Sequence, residues 1–323
     1  MIRVGINGYG NLGRGVEQAL SLAPDMELVA VFTRRDPSTV TTKGAHVFPY
    51  DSLADHADSL DVLINCGGSA SDLEVQGPQT ARLVNTVDSF DTHARIPEHF
   101  AALDSTAREA GTVAVISSGW DPGLFSLLRG LGEAVLPKGE TTTFWGPGIS
   151  QGHSDAIRRI DGVVDARQYT IPVEATVAAV KDGSAGELTP RTMHTRVCYV
   201  VAEDGADRER IEREIAQMPN YFADYNTTVA FISADELARD HAGMPHGGEV
   251  IRRGHTSEGI SQMVEFGLNL DSNPEFTGSV LVATARACVR KARAGLTGAF
   301  TIFDLTVSEL SSSSPEDLRS HLL

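Results

Sequence analysis

Over the first 120 residues, short apolar runs alternate with stretches in which apolar positions recur at helical spacing. "IRVGIN" leads directly into "GYGNLGRGVEQAL", and "LVAVF" (28–32) ends in "TRRD". "DVLINCGGSAS" (61–71), "ARLVNTVDSFD" (81–91) and "GTVAVISSGWD" (111–121) follow the same plan, each an apolar run ending in small or polar residues. Apolar runs without polar alternation mark strands covered on both faces, and the intervening helices supply that cover. The pattern predicts βα units and a parallel sheet.

From about residue 141 the pattern changes. "TTTFWG", "ARQYTIPV", "TRVCYVVAE", "TTVAFIS", "GEVIRRG" and "SQMVEFGLNL" read as strands with few helices between them. That arrangement predicts an α+β region with a mixed or antiparallel sheet. A charged, solvent-facing helix is predicted over 207–218, and another helix is predicted to start near Ser154. The amphipathic stretch 279–294 is expected to pack on the sheet or on a second subunit. "AFTIFDLTVSEL" is expected to return to the first domain, and Ser311–Ser314 reads as a short surface loop. The expected division is a dinucleotide-binding domain over 1–120, a substrate-binding and dimerisation region over 121–298, and a C-terminal segment, 299–323, that rejoins the first domain.

With 323 residues and 41% hydrophobic content, the chain is long enough for two packed cores. Its 27 Lys and Arg against 43 Asp and Glu give a net charge of −16, which argues against nucleic acid or an anionic membrane as main partner. No stretch approaches the roughly 18 apolar residues of a membrane span, and "MIRVGING" opens in a strand-like pattern without a signal peptide. Cys66, Cys198 and Cys288 are scattered without metal-ligand spacing, as expected of buried thiols in a reducing cytoplasm.

Gly8, Gly10 and Gly13 form G-x-G-x-x-G between a predicted strand and a predicted helix, the setting that a dinucleotide fingerprint requires. The first glycine makes the turn, the second admits a pyrophosphate and the third lets helix and strand pack closely. The helix N-terminus then offers N–H groups to the phosphates. The fold class is therefore α/β, a Rossmann-type doubly wound parallel sheet joined to the α+β region. A structural glycine turn is the bland alternative, weakened by this context.

In such a fold the second strand ends beside the adenosine ribose. An acidic residue there accepts from the 2′-OH of NAD, and an arginine pairs with the 2′-phosphate of NADP. Thr33, Arg34 and Arg35 supply a hydroxyl and two guanidinium forks, so NADP is the expected cofactor. Asp36, immediately following, keeps NAD open. Ligands of these sheets bind outside the carboxyl ends of the strands. Those ends carry Gly68, Ser69, Ala70 and Ser71, then Ser89, Phe90 and Asp91, then Ser118, Gly119, Trp120, Asp121 and Pro122. Asp91 and Asp121 are thus two carboxylates on the rim where a nicotinamide would lie. For Asp121, just before Pro122, a helix N-cap is the bland reading. His241 and His246 suit no common metal pair, and no metal is expected.

The blocks "GYGNLGR", "TRRD", "GGSASD", "VDSFDTH", "SSGWDPG", "TFWGPGISQGHSDAIRRI", "QYTIP", "MPHGG" and "DSNPEFT" resemble, in order, those of the meso-diaminopimelate D-dehydrogenase family. They span residues 8 to 277. Thr33 stands where that family usually has serine, and keeps a hydroxyl.

The resemblance implies an NADP-dependent homodimer of lysine and cell-wall precursor metabolism. It implies reversible oxidative deamination at the D-centre of meso-2,6-diaminoheptanedioate, giving L-2-amino-6-oxoheptanedioate, ammonia and NADPH. It places the cofactor on Gly8, Tyr9, Gly10, Asn11, Leu12 and Gly13, on Thr33 to Arg35 and on the strand-end residues above. Asp91 and Asp121 would hold the amino group at the reacting carbon, with Trp120, Trp145, Gln151 and Gly152 lining that half. Arg196, Thr170, His246 and Asn273 would bind the distal L-centre, Arg196 being a natural fork for its carboxylate. The proton acceptor is left open among an aspartate, His153 and solvent.

Three other readings compete. A semialdehyde dehydrogenase would need a thiol nucleophile near the start of the second domain, and the cysteines lie elsewhere, inside apolar patterns. A dihydrodipicolinate reductase-like enzyme would carry an adjacent His-His pair, which is missing here. A non-catalytic NADP-binding module would not need rim carboxylates.

Overall fold

The apolar runs of the first part become strands β1 (Ile2–Asn7), β2 (Met26–Thr33), β3 (His46–Pro49), β4 (Val62–Asn65), β5 (Thr86–Asp88) and β6 (Val113–Val115). In this computed structural model all 323 residues are described, Ala70 through its backbone alone. The strands pair in parallel in the order β3-β2-β1-β4-β5-β6. The order reverses between β1 and β4, and a ligand crevice opens at such a switch point. Strand β5 is shorter than the apolar run suggested. Ala81 ends the preceding helix, Glu74–Ala81, and is buried with Leu103 and Ala107.

Contacts divide the chain into two compact units, Met1–Leu127 with Pro274–Leu323, and Leu128–Asn273. The second contains β7 (Gly139–Trp145), β8 (Gly148–Ile149), β9 (Val163–Pro172), β10 (His194–Ala202), β11 (Asn226–Phe231), β12 (His246–Ser257) and β13 (Ile260–Leu270). One mixed sheet runs β11-β10-β9-β8, with only β10 and β11 parallel. The other runs β13-β12-β7 and is antiparallel. The predicted charged helix, observed at Arg208–Ala216, does not simply face solvent. Ile211 and Ile215, one turn apart, are fully buried with Cys198, Val200 and Phe222.

The long helix Asn273–Arg293 packs with the first unit rather than with the region 121–298. Its Leu281, Ala285, Cys288 and Val289 join the core of Val4, Ile6, Val62 and Val115. It crosses the fingerprint helix Asn11–Leu20 where both lack side chains. A β-carbon on Gly278 would lie 2.5 Å from the carbonyl carbon of Gly15. The helix is followed by β14 (Gly298–Phe300), which pairs in parallel with β6 and completes a seven-stranded sheet. The C-terminal segment thus rejoins the first unit through an added strand.

Candidate active site

The fingerprint loop shows the three glycines in distinct situations. Gly8 has φ +91, a conformation that favours glycine, and turns the chain at the end of β1. A β-carbon on Gly13 would stand 2.3 Å from the Gly8 carbonyl oxygen, so only hydrogen fits there. At Gly10 nothing lies within 4 Å of that position. Gly10 also begins the helix Asn11–Leu20 without a side-chain cap, and no acidic residue occupies the first turn. Open space above uncapped N–H groups suits a pyrophosphate. Beneath the loop, Asn7 donates to Asn65 at 2.9 Å and to Gln76 at 3.0 Å, and Asn65 donates to Thr80 at 3.0 Å. This buried amide network was not read from the sequence.

Tyr9 turns inward. Its hydroxyl bonds Glu17 and its ring is buried, so only its backbone can face a ligand. Arg35 donates to the Tyr9 carbonyl at 2.5 Å, and its own N–H donates to Thr33 Oγ1 at 3.1 Å. Arg34 extends to Asp72, 2.8 Å away, whose other oxygen accepts from Gly68 N at 3.1 Å. Both guanidinium groups are therefore steered by the two loops at the switch point. Asp36 caps a short 3-10 turn by accepting from Ser38 N at 3.0 Å, which lowers its pKa. That bond directs Asp36 into its own turn, away from the role a ribose-binding acid would need.

Further along the rim, Asp91 is exposed and its N–H donates to Ser69 Oγ at 3.0 Å. Phe90 is buried and stacks on His99 at 4.1 Å. Asp121 sits at the tip of a tight turn. Gly119 N donates to the Pro122 carbonyl at 2.8 Å, and a β-carbon on Gly123 would meet Gly119 O at 1.9 Å. The next helix starts only at Leu124, so Asp121 is not its N-cap. Ser118 and Trp120 are buried, Trp120 edge-on to Phe125 at 5.4 Å. The side chain of Ala70 lies outside the described residues; Ser71 beside it is exposed.

In the second unit Arg196 and Thr170 hold paired positions on β10 and β9. Arg196 is 7% exposed, donates to Thr170 Oγ1 and lies over the Tyr225 ring at 4.0 Å, while its Nε has no partner. No carboxylate among the described residues forms an ion pair with it, and burial lowers its pKa. Three imidazoles feel this cation. Burial and then Arg196 push His153 and His194 down to about 4, and burial followed by Arg196 also lowers His246. His194 Nε2 accepts from Trp145 N at 3.0 Å, as a neutral ring can. His153 Nδ1 lies 2.7 Å from Ser150 Oγ, and its ring packs edge-on against Tyr221 and Phe222.

The "WGPG" segment threads between these residues because Gly146 and Gly148 lack β-carbons. One on Gly146 would stand 2.1 Å from the Thr170 carbonyl oxygen, and one on Gly148 would stand 2.4 Å from His246 Cα. The helix predicted near Ser154 starts at Gln151, with Ser150 as N-cap. Gln151 and Gly152 are exposed, and Gln151 donates to Met244 Sδ at 3.3 Å. Asn273 N donates to the Met244 carbonyl at 2.9 Å. The unit therefore brings together Trp145, Gln151, Thr170, Arg196, His246 and Asn273 from five separate stretches of chain.

Burial raises the pKa of all three thiols, which disfavours a thiolate nucleophile. Among the described residues no group of three His, Cys, Asp or Glu side chains could hold a metal. No helix among them is long and apolar enough to cross a membrane.

Sheet order, glycine cradle and paired arginines define an α/β dehydrogenase of the dinucleotide-binding class, with a second unit built around a buried cation. Residues 119–272 match the family model described as the diaminopimelic acid dehydrogenase C-terminal domain. The chain is 59% identical over 323 residues to the meso-diaminopimelate D-dehydrogenase of Ureibacillus thermosphaericus, covering 100% of this chain and 99% of that one. It is 46% identical, with a TM-score of 0.94, to the structure of Corynebacterium glutamicum DAP dehydrogenase in complex with DAP, covering 100% and 99% of the two chains. An engineered D-amino acid dehydrogenase bound to NADP+ is 45% identical, with a TM-score of 0.89 and coverage of 100% and 99%. The chain belongs to the meso-diaminopimelate D-dehydrogenase family.

Proposed function

We propose that this chain catalyses the NADP-dependent, reversible oxidative deamination of the D-centre of meso-2,6-diaminoheptanedioate. The products are L-2-amino-6-oxoheptanedioate, ammonia and NADPH. The observation that carries this reading is the Arg196 guanidinium, buried without a carboxylate partner beside Thr170. A buried cation left unpaired is costly unless a ligand supplies the anion, and the substrate brings two carboxylates.

The residues fit NADP: the space at Gly10 accepts the pyrophosphate, and Arg34 and Arg35 the 2′-phosphate. When bound, NADP supplies a hydride acceptor at nicotinamide C4. The chain contributes position and charge. Asp91 and Asp121, as acceptor-only carboxylates, receive the amino group of the reacting carbon. Trp120, Trp145, Gln151 and Gly152 line that end. Arg196 forks the distal carboxylate while Thr170, His246 and Asn273 fix the L-centre. The amine must be unprotonated for the α-carbon to release hydride, and the resulting imine is hydrolysed by water. Burial and Arg196 hold the His153 ring neutral with its pKa near 4, and its Nδ1 lies beside Ser150; an aspartate, His153 and solvent are the candidate proton acceptors.

A homodimer fits the same reading. Strand β13 is an edge strand that leaves Ile260, Met263, Val264 and Phe266 exposed, a surface that monomers rarely keep. We assign the enzyme to the cytoplasm, in lysine and cell-wall precursor metabolism. The deciding experiment is NADP reduction with the meso diacid. Absence of reduction at alkaline pH, by protein that still binds NADP, would remove the proposal.

A further inference from the structure

We propose that Asp88 is a positioning residue that fixes the spacing between the two aspartate-bearing loops, 89–91 and 117–121, and that His99 holds Asp88 in place. This rests on the reading above that Asp91 and Asp121 receive the substrate's amino group. Asp88 is the last residue of β5, and its side chain is 4% exposed. Its Oδ1 accepts from the backbone N–H of Phe90 at 3.0 Å and from that of Ser117 at 3.0 Å. Those amides belong to different loops, at the ends of the neighbouring strands β5 and β6. The Asp88 carbonyl also accepts from Ser118 N at 2.8 Å, so one residue grips the second loop twice. Oδ2 lies 2.8 Å from His99 Nε2, and the His99 ring stacks on Phe90 with planes 14° apart.

The second loop is held in a conformation that it would not choose unaided. Ser117 has φ 52, left-handed for a residue with a β-carbon, and its buried hydroxyl has no partner. Such strain persists only where the surroundings over-determine it, and it clusters at functional sites. The Asp88 carboxylate is that determinant. Asp91 follows Asp88 by three positions and Asp121 follows Ser117 by four, so the grip sits at the root of both carboxylates. The first loop is also tied at its tip, where Asp91 N donates to Ser69 Oγ at 3.0 Å. Loss of the grip would let two acceptors for one amino group drift apart, and a misplacement of about 1 Å costs on the order of 100-fold in rate.

The test compares Asp88→Ala, Asp88→Asn and His99→Phe with Asp91→Asn and Asp121→Asn. Asparagine keeps an oxygen for both amides and turns its NH₂ toward His99 Nε2, which then accepts in the other tautomer. Alanine leaves both amides unpaired, and phenylalanine keeps the stacking on Phe90 while losing the bond to Oδ2. Asp88→Ala should lower kcat on the meso substrate by about 30-fold or more and raise KM. It should leave binding of 2′,5′-ADP, at the arginine end, unchanged. Amide hydrogen exchange should accelerate at Phe90 and Ser117 together. Asp88→Asn should restore both readouts most of the way, and His99→Phe should fall between, serving as the decisive variant if Asp88→Ala does not fold. Wild-type kcat and KM in the decisive variant, or unchanged exchange at either amide, would overturn the proposal. If Asp91→Asn and Asp121→Asn themselves keep wild-type kinetics, the reading of those aspartates falls and the proposal with it. If they are impaired while Asp88→Ala is not, the positioning role alone is wrong.

Discussion

Arg196 and Thr170 stand opposite each other across strands β10 and β9, and the guanidinium donates to the threonine hydroxyl. The arginine's other described contact is the Tyr225 ring, so neutral groups hold its charge in place without cancelling it. Arg196→Met should lower kcat/KM for the meso substrate by roughly 100-fold or more, since a charge-assisted fork is worth about 1.5–3 kcal/mol and the lost orientation adds to it. Arg196→Lys should recover only part, because an ammonium cannot reproduce two parallel bonds. Simple D-amino acids, which have no distal carboxylate, should be affected far less. Steady-state kinetics on both substrate types checks this, and equal losses on both would contradict the distal role.

Arg34 is held by Asp72 and Arg35 by the Tyr9 carbonyl. Wild type should prefer NADP over NAD strongly, and Arg34→Ala with Arg35→Ala should erode that preference by roughly 1.5–3 kcal/mol per contact. The loss should appear in NADP affinity, with NAD use nearly unchanged. Titration of both cofactors into wild type and variant measures it; comparable affinities in the wild type would sink the assignment.

Gly10 and Gly13 separate binding from folding. Gly13→Ala forces a β-carbon to within 2.3 Å of a backbone oxygen and should destabilise the fold by about 1–3 kcal/mol in denaturant unfolding. Gly10→Ala meets nothing in the protein, so the unfolding midpoint should hold while NADP affinity drops. Normal NADP binding by a folded Gly10→Ala protein would show that the pyrophosphate does not lie over Gly10.

The nucleotide half of this chain is legible in sequence because its chemistry is local. Strand, glycine turn and helix are contiguous, and the arginine pair follows the next strand directly. What escaped reading depends on contacts between distant residues. The helix Asn273–Arg293 carries an amphipathic pattern that any sheet could satisfy. Its assignment to the first unit rests on tertiary contacts, the bare crossing of Gly278 on Gly15 and the burial of Leu281, Ala285 and Cys288 with Val4 and Ile6. Asp88 and Asp91 both follow an apolar run, and nothing local says that one turns inward to His99 while the other stays exposed. Family resemblance pointed to "WGPG", but the reason for its glycines, the Thr170 carbonyl and the His246 backbone, is purely tertiary.

The neutral imidazoles around Arg196 make stability pH-dependent in a defined direction. His153 and His194 have folded-state pKa values of about 4, against an unfolded value of about 6.5. Between those values the unfolded chain binds more protons, so the stability these residues contribute is full above pH ~6.5 and is lost as pH falls toward 4. The thermal midpoint should drop across that interval. Arg196→Met removes one of the two causes of the depression and should make the drop shallower. A midpoint that is flat from pH 6.5 to 4.5 would contradict the burial of these rings.

The substrate offers two ends that differ only in hand, and that difference tests the whole assignment. To oxidise the D-end, the protein must seat the L-end where its mirror image does not fit. In the proposed site, Arg196 is to fix the distal carboxylate, and Thr170, His246 and Asn273 are to hold the other substituents of the L-centre. Three such contacts around one carbon discriminate handedness because exchange of two substituents leaves a buried donor or acceptor unpaired, a loss of about 1–3 kcal/mol for each. The L,L isomer has no D-centre and should show no NADP reduction. The D,D isomer has a reactive centre but must place the wrong hand against Arg196, so its kcat/KM should fall below that of the meso form by about 10-fold or more. Arg196→Met should narrow that gap by lowering the meso value more than the D,D value. Oxidation of the L,L isomer would show that the reacting end does not select a D-centre, and equal use of D,D and meso isomers by the wild type would show that handedness is not read at Arg196.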